Sequence, residues 1–145
     1  TQIRKISDYA EVHSPGVILA KPTREGFDIA LRQAVEGNQT WITKCLYADF
    51  LNTLLKRDSS GHAYQFLNEF FAFLRKNNFV GLFSLDNTMF EPTVLASVED
   101  LCDVCIQLRL EEKPEIRLKK LPGIIKYRGW MEYSIDDSGL HIRVE

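Results

Sequence analysis

Apolar positions change their spacing several times along this chain, and each change predicts an element. Val17–Ala20 is an apolar run behind Ser14-Pro15-Gly16 and predicts a buried strand. From about Arg24 the spacing becomes helical, with Phe27, Ala30, Leu31, Ala34 and Val35 on one face and Gly37-Asn38 as the stop. Thr40–Leu46 predicts a second strand. After a polar loop at Lys56–Gly61, with Ser59 or Ser60 as N-cap, a helix spans Ala63–Asn77. It carries Tyr64, Phe66, Leu67, Phe70, Phe71, Phe73 and Leu74 and is apolar nearly all round. Such a helix is expected to lie between a sheet and a second surface, such as another subunit, with Tyr64, Phe66, Phe70 and Phe73 as interface residues.

Val80–Leu85 predicts a continuous apolar strand, and Pro92-Thr93 opens a short helix to about Asp100 that buries Val94, Leu95 and Val98. From Asp103 the period becomes two. Asp103–Leu110 and Glu115–Leu121 flank a turn containing Lys113-Pro114, and Trp130–Ile135 and Leu140–Val144 flank Asp136-Asp137-Ser138-Gly139. The expected fold is α/β, a mostly parallel sheet flanked by helices and extended by C-terminal antiparallel hairpins.

Composition narrows this picture only a little. At 145 residues, 45% apolar and 26% charged, the chain predicts one domain over 1–145 with a single core. A formal charge of −2 gives no general attraction to nucleic acid or to an anionic membrane, so such a partner would need a local patch. No run approaches the roughly 20 apolar residues of a membrane span, and Thr1–Ser14 lacks the apolar core of a secretory signal. Three cysteines, an odd number, point to reduced thiols and a cytoplasmic setting.

Three groupings carry chemistry. Cys102-Asp103-Val104-Cys105 has redox or half-zinc-site spacing, with Cys45 and one of His13, His62 or His141 as further ligands; its place between a helix and a strand instead favours two buried structural thiols. Lys119, Lys120, Lys126, Tyr127, Arg128 and Trp130 form a basic, aromatic stretch of the kind that binds nucleic acid. Strand alternation would divide these residues between two faces, which favours an exposed hairpin with Trp130 and Tyr133 packed inward. Asp49, Asp58, Asp86 and Glu91 follow predicted strands, where α/β sheets bind ligands, but no histidine or nucleophile signature accompanies them.

Val80–Asn87 (VGLFSLDN), Glu99–Glu111 (EDLCDVCIQLRLE), Lys119–Tyr133 (KKLPGIIKYRGWMEY) and Ser134–Ile142 (SIDDSGLHI) together resemble the C-terminal half of KaiC-like ATPases of the RecA superfamily, over about Ser60 to Val144. That resemblance implies an ATP site, yet its parts are altered here. The loop Ala20–Phe27, with Lys21 and Thr23 as cofactor-binding candidates, has the strand-to-helix setting of a phosphate loop but contains Pro22 and Glu25 and no Gly-Lys-Ser/Thr. Trp41–Leu46 places Lys44 and Cys45 where the family holds a magnesium-binding carboxylate. The family's trans-acting Lys and Arg map to Lys120 and Pro122. The expectation is a non-catalytic RecA-like module, without cofactor, metal or catalytic residues, acting by oligomerisation or by binding a related subunit. Lys120, Lys126 and Arg128 join Lys21 and Thr23 as cofactor-binding candidates. Two alternatives stand: a KaiC-like ATPase whose phosphate loop lies upstream of Thr1, and a nucleic-acid binder acting through Lys119–Trp130, the basic C-terminal hairpin.

Overall fold

The computed structural model describes residues 4–5, 10–14, 17–37, 44–58, 61–123 and 129–144. They divide into two compact units, Thr1–Leu95 and Ala96–Glu145.

The first unit opens with three antiparallel strands, β1 (Arg4–Lys5), β2 (Ala10–Ser14) and β3 (Val17–Ala20), paired in that order. Helix α1 (Arg24–Glu36) follows at once, because Thr23 is extended and its hydroxyl accepts the Gly26 N–H at 3.2 Å. Only glycine fits at position 26: a Cβ there would lie 2.0 Å from the Lys21 carbonyl oxygen. Strand β4 (Cys45–Ala48), helix α2 (Leu51–Arg57), helix α3 (His62–Lys76) and strand β5 (Val80–Phe83) come next, with β4 and β5 parallel across the helical crossover. Helix α3 stops in a Schellman arrangement. Asn78 takes φ 58, and the N–H groups of Asn78 and Phe79 donate to the Arg75 and Leu74 carbonyls.

Seven phenylalanines hold this unit together, namely Phe27, Phe50, Phe66, Phe70, Phe71, Phe73 and Phe83. Leu51, Leu54, Leu67, Leu74 and Val35 fill the space around them. The aromatic helix thus spends most of its apolar surface within its own unit. Its cover comes from α1, β5 and Phe50, which lies at the start of α2, a short helix that the sequence pattern did not announce.

Helix α4 (Pro92–Leu101) runs across the boundary into the second unit, an antiparallel meander of β6 (Cys105–Leu110), β7 (Pro114–Lys120), β8 (Met131–Asp136) and β9 (Gly139–Ile142). The β8–β9 turn is locally encoded: Asp136 Oδ1 accepts from both the N–H and the hydroxyl of Ser138, and Gly139 takes φ 124.

The observed architecture is mixed α/β with C-terminal antiparallel strands, as expected, but the sheet is not mostly parallel. Among the described residues, parallel pairing is confined to β4 and β5. Val17–Ala20 pairs antiparallel with β2, and Leu19 is exposed, so it is not a buried strand of a parallel sheet. Val80 and Leu82 are also exposed, because helices cover only one face of the parallel pair. Strand β4 starts at Cys45; positions 40–43 lie outside the described residues, as do Ser59 and Ser60.

Candidate interaction surface

Strand register in the second unit sorts its side chains cleanly. Leu108 pairs with Ile116, Ile116 with Met131, Leu110 with Pro114, Tyr133 with Ile142 and Ile135 with Leu140. Paired residues in an antiparallel ladder share a face, and alternation carries that face to Ile106 and Leu118. One side of all four strands is therefore apolar. It is also open to water: Leu110 is 78% exposed, Ile135 72%, Leu108 61% and Leu140 55%, with Ile106, Ile142 and Val144 exposed as well. Ile116, near the middle, is buried. Lys120, at the far end of β7, turns its ammonium to the Glu99 and Asp100 carbonyls at 3.0 and 3.2 Å, the last turn of α4.

The opposite face is polar and internally paired. Trp130 lies between two guanidinium groups, Arg109 at 4.1 Å and Arg117 at 4.6 Å from its ring centre. Arg109 is fixed by Glu115 at 2.6 Å and Arg117 by Gln107 at 2.5 Å. Lys119 reaches Glu99 at 2.6 Å, while Lys113 and Arg143 both meet Glu132. Alternation does separate the basic residues, with Lys119 on one face and Lys120 on the other. Trp130 packs against arginines on the polar face, and Tyr133 sits on the apolar one. Lys126, Tyr127 and Arg128 lie outside the described residues.

The phosphate-loop candidates Lys21 and Thr23 both take part in the start of α1. Thr23 caps α1, the Thr23 N–H donates to the Lys21 carbonyl, and the Phe27 N–H donates to the Thr23 carbonyl. The Glu25 carboxyl is held below its usual range by a backbone N–H and by Arg24, so an anion already sits at this helix start. Of the interface aromatics, Phe66 and Phe70 are buried in the first unit, Phe73 is half-buried under the Arg32 guanidinium at 4.6 Å, and Tyr64 is exposed.

Cys45, Cys102 and Cys105 are free thiols. Burial pushes the Cys102 thiol up to about 11, with Cys105 adding to the rise. Burial, then Glu99, raises Cys105 as well. Both stay protonated near neutral pH, which suits structural thiols rather than nucleophiles. Among the described residues no group of three or more His, Cys, Asp or Glu side chains is placed to hold a metal ion. At the ends of the parallel strands, Asp49 accepts from the Ser84 hydroxyl at 2.6 Å, and Asn52 accepts the Asp86 N–H at 2.9 Å. These contacts brace the two loops; Asn52 is a contributor that carried no signal in the sequence.

Asp136, Ser138 and His141 bring together the residue types of a hydrolase triad. Their geometry is wrong for one. The same imidazole atom, Nε2, faces Ser138 at 2.8 Å and Asp136 at 3.1 Å, whereas a triad needs one ring nitrogen for each partner. The group is an exposed turn lock. A cleft of about 280 Å³ beside α1 and α3 is lined by Arg24, Asp28, Arg32 and Glu69 among others; Arg32 pairs with Asp28 at 2.6 Å and Arg24 with Glu25 at 3.3 Å, and the Gln65 amide donates to Glu69 at 3.1 Å.

The fold and its open sheet face define a mixed α/β protein with a broad apolar surface and no assembled catalytic group among the described residues. No known protein family matches the chain, and no curated protein is similar to it. Among the described residues, no helix is long and apolar enough to cross a membrane.

Proposed function

We propose that this chain is a non-catalytic module, of RecA-like and KaiC-like descent, that works by docking protein onto the apolar face of β6–β9. The observation that carries the reading is the exposure of Ile106, Leu108, Leu110, Ile135, Leu140, Ile142 and Val144 on one side of a single sheet. Soluble proteins seldom leave a contiguous apolar patch above roughly 300–600 Å² without a partner for it. The RecA-like part rests on the resemblance of Val80–Asn87, Glu99–Glu111, Lys119–Tyr133 and Ser134–Ile142 to that superfamily, and the antiparallel C-terminal order is compatible with it.

Docking predicts that these side chains are dispensable for folding. In dilute solution the double variant Leu108→Lys with Leu110→Lys should keep its far-UV circular dichroism and unfold cooperatively, because both residues face water. Loss of folded structure in that variant would mean that the face belongs to an internal core, and the docking reading would be abandoned. A fluorescent ATP analogue with Mg²⁺ tests the non-catalytic part, and tight saturable binding would sink it.

A further inference from the structure

Surfaces that dock protein differ in what they accept, and this one has a simple chemistry. The side chains of β6–β9 on the apolar face include no carboxylate, and its one cation, Lys120, is turned onto the end of α4. A partner therefore has no charge to match; it needs an apolar surface of similar extent and flatness. All of the paired charges lie on the other face, with Arg109, Arg117, Lys119 and Arg143 engaged there.

Resting on the docking reading, we propose that the occupant is a second copy of this chain, its β6–β9 face laid against the first to complete a β-sandwich. Two observations carry this. The first is area: the seven exposed residues leave roughly 700 Å² of surface per copy, within the per-partner range of about 600–1,000 Å² of a standard stable interface. The second is architecture. A four-stranded antiparallel sheet that is apolar on one side and charged on the other is half of a sandwich, and sandwiches close by packing two such faces about 10 Å apart. A two-fold axis makes the apolar face its own complement, since each residue then meets the equivalent surface of the partner. Exposed Leu108 and Ile106 on one side and Ile135 and Leu140 on the other would interleave, whereas buried Ile116 at the centre already packs within its own sheet.

The 145-residue chain, measured by light scattering across 1–100 μM, should run as a dimer. Leu110→Lys, at the most exposed position of the face, should shift it to monomer by at least about tenfold in Kd, with circular dichroism unchanged. Tyr47→Lys, on the smaller exposed face of β4–β5 formed by Cys45, Tyr47, Val80 and Leu82, should leave the dimer intact. A monomer at 100 μM overturns the proposal. So does a dimer that survives Leu110→Lys, which would place the contact elsewhere. Binding of a hydrophobic dye separates the two readings: a monomer whose dye binding is lost in the Leu108→Lys, Leu110→Lys variant keeps the docking face and loses the self-association, whereas a monomer that binds no dye loses both.

Discussion

The two units use their apolar residues in opposite ways. Among the described residues, the buried apolar side chains are concentrated in the first unit, around Phe50, Phe66, Phe70, Phe71 and Leu67, and the second unit contributes only Val98 and Ile116. The first unit folds its aromatic helix against α1 and β5, so most of that helix's apolar surface is consumed internally, and the small β4–β5 face with Tyr47, Val80 and Leu82 stays open. The second arranges comparable apolar content along one face of a meander and leaves it open. What separates them is layering: α1 and α3 back the strands in one, and in the other a four-stranded sheet stands with its apolar face exposed. A layer without a second layer is an unfinished core, which is why we propose the second unit's apolar face as the docking surface.

Truncation at the centre of the first unit should have the largest effect. Phe70→Ala removes a fully buried ring in contact with Phe66, Phe73 and Phe83 and should cost about 3–5 kcal/mol in denaturant unfolding. A loss under about 1 kcal/mol would mean that the aromatic cluster does not hold the unit. Gly26→Ala comes next, because the new methyl collides with the Lys21 backbone and forces the first turn of α1 to move, at about 1–3 kcal/mol.

The second unit should respond to alkali. Cys102 has a folded-state pKa raised by burial, so the unfolded chain releases its proton first as pH rises. The stabilisation is fully present below about pH 9 and fades towards pH 11, so thermal stability should fall across that window. Cys102→Ala should flatten the fall; an unchanged slope in that variant would assign the alkaline loss to other groups. Smallest of all is Ile135→Lys, which should change monomer stability by no more than about 0.5 kcal/mol, because the side chain is mostly in water. A large loss there would erase the contrast between the two units.

Much of the second unit was legible in the sequence. Strands β6 to β9 fall within a residue or two of the spans set by alternation, since Pro114, Asp136 and Gly139 mark the turns through their own backbone chemistry. Helices α1, α3 and α4 were equally clear from their periodicity and stops. The missing pieces share a cause. Helix α2 has two turns and only Leu51 and Leu54 as buried positions, too few for a period to stand out, and β1 and β2 are short polar strands defined by their partners. The parallel sheet was over-read because apolar runs at Val17–Ala20 and Val80–Leu85 look alike whether both faces are covered or one.

The exposed apolar face of β6–β9 shows the same division. Alternation in Ile106, Leu108 and Leu110 against Gln107 and Arg109 is a local property, and the sequence by itself determined that one face would be apolar and the other polar. Which face found cover was decided by tertiary structure alone. Arg109 and Arg117 close over Trp130, which comes from the segment just before β8, so the polar side is packed and half-hidden while the leucines stand in water. Period specifies that a strand has two unlike sides, but burial depends on what the rest of the chain brings against each of them.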